Sequence, residues 1–158
     1  MADIDIDRVW KLMDKIGFCM LSTHDADDIR SRPMAAHVER EDNAIYFLTD
    51  ATSHKDEEIA QDANVGLAFA DTDDQKYVSL TGSAEISNDR AKIKELWSTP
   101  AKAWWQSADD PSIRVLKVTP KDAQYWDSPG TAVSYIKMFA AAVSDTTPDI
   151  GRSAKVQM

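Results

Sequence analysis

Residues 77–86 read Tyr-Val-Ser-Leu-Thr-Gly-Ser-Ala-Glu-Ile, and this stretch carries the clearest strand pattern of the chain. Apolar residues alternate with polar ones along it, which is the period-two pattern of a strand with one buried face: Val78, Leu80, Ala84 and Ile86. Gly82 interrupts the alternation at mid-strand, where a glycine usually marks a bulge or a barrel bend. The stretch therefore predicts a strand with a bulge or a bend at Gly82.

Apolar runs on both sides of this strand predict the rest of a sheet. They cover residues 18–23, 29–38, 44–49, 65–70 and 113–118. Pro33 lies in the second run, and because proline has no N–H to donate, this strand should be an edge strand or be interrupted there. Apolar residues recur at helical spacing in other segments, which predicts helices near 5–16, 54–62 and 133–143 and a further helix that carries Ile93 and Leu96.

The order of these elements favours a mainly β fold. About six strands are joined mostly by turns, with helices inserted between some of them, so strands and helices do not alternate regularly. This order favours an antiparallel closed or half-closed barrel with peripheral helices over a doubly wound parallel sheet. The length of 158 residues, without a linker or an internal repeat, predicts one domain over residues 1–158.

The net charge of the chain argues against two classes of binding partner. Eighteen Lys and Arg residues stand against 27 Asp and Glu residues, for a net charge of −9. A chain this acidic lacks the positive field that a nucleic-acid backbone or an anionic membrane surface requires, so neither is an expected partner. The N-terminus has neither a basic start nor an apolar signal core, which predicts a cytoplasmic protein.

Metal and nucleophile motifs are weak. Cys19 is the single cysteine, so it cannot form an intrachain disulfide, and we expect it to be a small core residue. His24, His37 and His54 lack the i, i+4 pairing of a helical metal site. The sequence therefore predicts no metal site and identifies no catalytic acid, base or nucleophile.

The segment from Arg30 to Lys55 concentrates cations in an acidic chain. Its second half places hydroxyls and the Lys55 ammonium at a predicted helix N-terminus, where free N–H groups and the helix dipole favour an anion. Its first half adds Arg32, whose guanidinium can grip a phosphate through two hydrogen bonds. A purely structural interpretation stays open, because Ser53 with Asp56 fits a capping box and nearby carboxylates would repel a phosphate.

The ordered set of motifs resembles the general stress protein 26 branch of the pyridoxamine 5'-phosphate oxidase-like FMN-binding split-barrel family. The resemblance covers residues 18–127 and rests on RSRPM at 30–34, AIYFLTDATSHK at 44–55, NVGLAFAD at 64–71, YVSLTGSAEI at 77–86 and VLKVTPKDAQYWD at 115–127. It implies a six-stranded antiparallel split β-barrel that forms a homodimer, with FMN in a groove between the subunits. FAD and a deazaflavin remain alternatives, because residues that bind a phosphate group would serve FMN, FAD and a deazaflavin alike.

The resemblance also implies a set of cofactor-binding residues. Arg32 and Lys55 would hold the phosphate, and Thr49 and Ser53 would donate hydrogen bonds to it. The remaining residues would follow the ribityl chain and the ring or match weaker family positions: Arg30, Ser31, Pro33, Met34, His54, Tyr77 and Trp104. Trp104 or Trp105 would stack on or close over the flavin, or both would anchor the core or a dimer interface.

The chain departs from oxidases of pyridoxamine phosphate at its C-terminus. After Tyr125 its cations are Lys137, Arg152 and Lys155, without a histidine, so the basic signature that completes the vitamin B6 site is missing. The resemblance thus implies flavin binding, with an oxidoreductase acting on an unknown small-molecule substrate as its function. The alternative is a non-enzymatic flavin-holding or stress-related binding module.

Overall fold

The computed structural model describes residues 2–128, 131–144 and 151–158. Along the chain, the helices and strands are α1 (Ala2–Ile16), β1 (Phe18–Asp25), β2 (Asp28–Ala35), β3 (His37–Glu39), β4 (Ala44–Asp50), α2 (His54–Gln61), β5 (Asn64–Asp71), β6 (Lys76–Ser87), α3 (Arg90–Leu96), β7 (Ile113–Asp127), α4 (Thr131–Ser144) and β8 (Arg152–Gln157). Short 3-10 helices occupy Arg40–Asp42 and Thr99–Ala103.

All pairings between these strands are antiparallel, and the sheet follows the order β2-β1-β5-β6-β7-β4-β3, with β8 on β7. Strands β2 and β3 stand at opposite ends of this order, yet only Ala36 separates them along the chain. The sheet must therefore curl until its two ends approach each other. This confirms the predicted mainly β fold, an antiparallel barrel that is split rather than closed.

Three strands differ from the sequence prediction. The predicted strand at 29–38 breaks at Ala36, because the chain passes there from one end of the sheet to the other. Strand β7 continues past Val118 to Asp127, and β8 adds a strand from the C-terminal segment. The sheet thus has eight strands in the described residues rather than six. Pro33 lies on edge strand β2, as predicted.

Gly82 marks a bulge, which confirms the prediction for mid-strand β6. The register between β6 and β7 shifts between Thr81 and Gly82. A Cβ atom on residue 82 would lie 2.7 Å from the carbonyl oxygen of Thr119, closer than real contacts allow. Glycine is therefore required by the close approach of two backbones.

The main core lies between α1 and the concave face of the sheet. Helix α1 contributes Val9, Leu12 and Met13 to it, all essentially inaccessible to solvent. Cys19 is buried in the same core, and burial raises the pKa of its thiol to about 12. The thiol therefore stays protonated at neutral pH and serves as a small core residue.

A second, smaller core joins β4, α3 and the start of β7. Its buried members are Ala44, Tyr46, Ile93, Leu96, Ile113 and Val115, and Leu48, Trp97 and Trp105 pack against it. This cluster fixes the segment after α3 against β4, which is where the candidate site lies. Within the described residues, no helix combines the length and apolar character needed to cross a membrane.

Candidate functional site

A pocket of about 330 Å³ opens where the end of β2, the end of β4 and the segment after α3 meet. Its walls are mainly apolar, and its polar groups gather at one end. The lining residues are Pro33, Met34, Ala35, His37, Leu48, Thr49, Asp50, Lys55, Ser98, Ala101, Trp104 and Trp105.

Three local features of the chain build these walls. The break at Ala36 places the end of β2 and His37 beside each other, on the same side of the pocket. Leu48 and Trp105 also pack against the second core, so that wall is held by burial. Trp104, next in the chain to Trp105, is 81% exposed and stands at the rim.

The polar end of the pocket is the link between β4 and α2. Lys55 Nζ donates a hydrogen bond to Ser53 Oγ at 3.1 Å. The hydroxyls of Ser53 and Thr49 donate to Asp56 Oδ1 at 3.0 and 3.3 Å. Ser53 does precede α2, but its side chain accepts no backbone N–H, so the predicted capping box is wrong. The N–H of Asp56 donates to the Ser53 carbonyl at 3.2 Å. Among the described residues, the N–H groups of His54 and Lys55 have no such acceptor and can serve another one.

Lys55 carries a charge that the protein only partly offsets. Desolvation lowers the pKa of Lys55, and the Arg32 charge lowers it further, while Asp56 raises it. Among the described residues, Lys55 Nζ forms its hydrogen bond with Ser53 and has no carboxylate oxygen within ion-pair distance. A half-buried ammonium without a bonded counter-charge favours binding of an external anion.

His37 and Asp50 are two further ionisable groups of the pocket. Burial lowers the pKa of His37, with Glu39 opposing the shift, so its imidazole is neutral at neutral pH. Hydrogen bonds from the hydroxyl and the backbone N–H of Thr52 lower the pKa of Asp50, which stays ionised. The pocket thus combines one cation, one carboxylate and one neutral imidazole.

Arg32 lies behind the pocket rather than in its wall. Its guanidinium donates to Thr23 Oγ1 at 2.8 Å, to the carbonyl of Leu21 at 3.2 Å and to Glu58 Oε2 at 3.0 Å. Glu58 is a buried residue of α2. Arg32 therefore ties β2 to β1 and α2, and it acts on Lys55 through its charge.

Four other predicted site residues point elsewhere. Ser31 Oγ pairs with Ser22 Oγ at 2.6 Å, and Arg30 Nε donates to Asp25 at 3.3 Å. His54 Nε2 faces carboxylates of Asp25 and Glu58. Tyr77 donates to Gln75 at 3.4 Å. Of the residues predicted from the sequence, the structure brings these together in the pocket: Pro33, Met34, Thr49, Lys55 and Trp104, with Ser53 bonded to Lys55 beneath them.

Sequence reasoning missed several lining residues, most notably His37. The segment after Pro33 reads as one strand, and only the break at Ala36 turns His37 toward the pocket. Asp50 directly follows Thr49, so its position could have been inferred from the strand end. Ser98 and Ala101 lie in a segment without a motif, and no sequence signal assigns them to the site.

Comparison with known proteins identifies relatives of this chain. It is 32% identical to general stress protein 26 of Bacillus subtilis over 85 residues, which cover 49% of this chain and 58% of that protein. The matched region therefore spans little more than half of that relative.

Solved structures agree with the sequence match. A general stress protein 26 from Jannaschia sp. CCS1 superposes with a TM-score of 0.82 at 25% identity, covering 100% of both chains. The general stress FMN/FAD binding protein of Xanthomonas citri superposes with a TM-score of 0.66 at 27% identity, covering 76% of this chain and 86% of that one. The model of the pyridoxamine 5'-phosphate oxidase-like family matches residues 5–149. The chain therefore belongs to the pyridoxamine 5'-phosphate oxidase-like family.

Proposed function

We propose that this protein is an FMN-binding flavoprotein and that the pocket beside Lys55 holds the cofactor. One observation carries the proposal: in a chain of net charge −9, a mainly apolar pocket is lined by a half-buried lysine that no carboxylate of the described residues bonds. A flat aromatic ring system with a phosphate on a flexible chain matches that combination of apolar walls and a cationic end.

The residues of the pocket divide into two groups that fit the two ends of FMN. Lys55 and the N–H groups of His54 and Lys55 would hold the phosphate, and the hydroxyls of Thr49 and Ser53 would turn to it from Asp56. Pro33, Met34 and the two tryptophans would contact the apolar ring. Arg32 would add positive charge from behind Lys55, because three of its guanidinium N–H groups already donate to Leu21, Thr23 and Glu58.

FMN is preferred to FAD and to a deazaflavin because of the charge at the polar end of the pocket. The polar end holds one lysine at one helix start, which suits a single terminal phosphate. The relative from Xanthomonas citri is named as an FMN/FAD binding protein, which supports a flavin and leaves that choice to measurement.

A second copy of this chain is the proposed partner. The outer face of the sheet carries apolar side chains on neighbouring strands: the exposed Phe18 and Met20 on β1, Ala68 and Ala70 on β5 and Trp126 on β7, with the half-buried Tyr77 on β6. An apolar face of this kind is typical of an interface, and a homodimer buries it symmetrically. Sedimentation velocity should then give a species near twice 17.6 kDa, and a flavin-loaded monomer would contradict the shared groove.

Bound FMN supplies electron transfer, so we propose an oxidoreductase of a small-molecule substrate. The neutral His37 imidazole lies in the pocket and can donate or accept a hydrogen bond at a ligand. The alternative is a module that holds the flavin without turnover. Anaerobic photoreduction followed by addition of candidate acceptors separates them, because a holder would reoxidise no faster than free FMN.

The first experiment is an absorption spectrum of freshly purified protein, with the released pigment identified by its mass. We expect a flavin spectrum and the mass of FMN. If the released pigment has the mass of FAD or of a deazaflavin, the proposed pocket stands and the proposed cofactor is wrong. A colourless protein that takes up no flavin on titration would contradict the proposal.

A further inference from the structure

We propose that Asp25, His54 and Glu58 form a second binding site, for a divalent transition metal ion of which Zn²⁺ is the best match. His54 Nε2 lies 3.6 Å from Asp25 Oδ2 and 3.5 Å from Glu58 Oε1. One ligand atom from each residue lies within 4.8 Å of the others. Three donors of types that bind metals therefore converge on one point.

The two separations from His54 Nε2 suit a tetrahedral ion. Zn²⁺ binds imidazole nitrogen and carboxylate oxygen at about 2.0–2.2 Å, so two of its ligands stand roughly 3.3–3.6 Å apart. The two distances from His54 Nε2 lie within or at the edge of that range. A mixed imidazole and carboxylate set favours zinc over magnesium or calcium, which prefer oxygen donors throughout.

The buried Glu58 carboxylate provides an independent indication of a ligand. Its side chain is 3% exposed. Oε2 accepts hydrogen bonds from the Thr23 hydroxyl and from Arg32, which fix the orientation of the group. Within the part of the chain that the structure describes, Oε1 accepts no such hydrogen bond, and its ion-pair neighbour is His54 Nε2 at 3.5 Å. A buried carboxylate oxygen in that position needs a cation or a proton donor.

Nδ1, the second ring nitrogen of His54, also lies near a carboxylate. Nδ1 lies 3.3 Å from Glu57 Oε2. A histidine that ligates a metal commonly donates its second N–H to a carboxylate, which selects the tautomer and aims the free lone pair at the ion. With its proton on Nδ1, on the side of Glu57, His54 would keep the lone pair of Nε2 for an ion shared with Asp25 and Glu58.

Two elements assemble the site. Strand β1 ends at Asp25, and helix α2 begins at His54, so the helical spacing of four residues puts Glu58 on the same face. The sequence predicts no metal site because its histidines lack the i, i+4 pairing of a helical site, and a single histidine with two carboxylates does not show that pattern. Arg30 shares Asp25 Oδ2 at 3.3 Å, so it partly offsets the negative charge of the site.

This site is separate from the pocket, because none of its three residues lines that pocket. A bound ion would join the end of β1 to the first turn of α2, the turn that carries Lys55. The competing explanation is a protonated His54 in ion pairs with its carboxylate neighbours, which requires no metal.

The experiment measures Zn²⁺ binding to chelator-treated protein by competition with a colorimetric zinc indicator. We expect one Zn²⁺ per chain for the wild type and a loss of affinity of more than about tenfold in His54→Ala and in Asp25→Asn. His24→Ala is the matched control, because the His24 imidazole is also exposed but lies 3.9 Å from a single carboxylate, that of Asp62. That variant should bind zinc like the wild type.

Substitution with Co²⁺ gives a readout of geometry, since four-coordinate Co²⁺ absorbs visible light more strongly than the six-coordinate aqueous ion. We expect this absorption in the wild type and in His24→Ala but not in His54→Ala. His54 is exposed, so its variant should fold, and a thermal melt of the metal-free proteins checks this. Absence of stoichiometric zinc in the wild type, or equal binding by His54→Ala, would overturn the proposal and support the protonated histidine.

Discussion

Arg32 Nη2 lies 3.0 Å from Glu58 Oε2, which joins an edge strand of the sheet to the buried face of α2. Both groups are withdrawn from solvent, with side chains 23% and 3% exposed. The Arg32 guanidinium is therefore already paired with a carboxylate of the protein. Lys55 is left as the cation that faces the pocket.

This pair predicts an asymmetric response to mutation. Glu58→Ala should lower the free energy of unfolding by about 2–4 kcal/mol, because it leaves the Arg32 charge without its partner in a partly buried place. Replacement of both residues by methionine should recover much of the loss, since no unpaired charge remains. Urea denaturation of the single and double variants measures both. A double variant no more stable than Glu58→Ala would show that the pair does not act as a unit.

The bulge in β6 predicts a contrast between two glycines. Gly82→Ala should destabilise the protein by about 1–3 kcal/mol, because the new Cβ would meet the Thr119 carbonyl at 2.7 Å. Gly66→Ala is the matched control on β5, where the nearest atom to a Cβ would lie at 3.8 Å, an ordinary contact. Thermal unfolding of the two variants should therefore separate them. Equal melting temperatures would mean that the backbones at Gly82 can move apart without cost.

Much of the fold could be predicted from the sequence because buried faces require apolar residues at the period of a strand or a helix. The alternation in β6, the helical spacing in α1 and the glycine at the bulge all follow from local chemistry. The break at Ala36 could not be predicted, because it is set by the two ends of the sheet approaching each other. Strand β8 exists because β7 offers it an edge, which its own sequence does not show.

The candidate site likewise has residues that the sequence predicts and contacts that only the folded chain reveals. Lys55 and Thr49 lie at a strand end followed by a helix start, and that boundary is visible in the sequence. The partner of Arg32 is not visible, because Glu58 lies 26 residues away and meets it only in the folded chain. The sequence therefore predicts two cations at one phosphate, whereas the structure shows one in the pocket and one bonded behind it.

Substitution of the two tryptophans of the pocket should affect different properties: FMN affinity for Trp104 and thermal stability for Trp105. Trp105 packs against the second core, whereas Trp104 is exposed at the rim. Trp104→Ala should leave the melting temperature unchanged and weaken FMN binding by about 0.5–1.5 kcal/mol, the value of an aromatic contact. Trp105→Ala should lower the melting temperature. Fluorescence titration and thermal unfolding test the pair, and unchanged FMN affinity in Trp104→Ala would remove that residue from the site.

FMN binding should depend on pH through Lys55. Desolvation holds the pKa of Lys55 below 10.5, so the ammonium loses its proton earlier than an exposed lysine would. The phosphate stays a dianion above its second pKa of about 6, so the attraction is complete near neutral pH and lost as pH rises through the pKa of Lys55. Titrations from about pH 7 to about pH 10 should show weakening affinity in the wild type. The same slope in Lys55→Met would assign it to another group.

A comparison of FMN with riboflavin, which lacks the phosphate, separates the contribution of Lys55 to phosphate binding from its effect on the ring. Dissociation constants are determined for the wild type, for Lys55→Met and for Lys11→Met, a control at an exposed lysine of α1. We predict that Lys55→Met weakens FMN binding by about 1–3 kcal/mol, leaves riboflavin binding unchanged and differs from Lys11→Met. Equal effects of Lys55→Met on both flavins, or no effect on FMN, would contradict a phosphate held by Lys55.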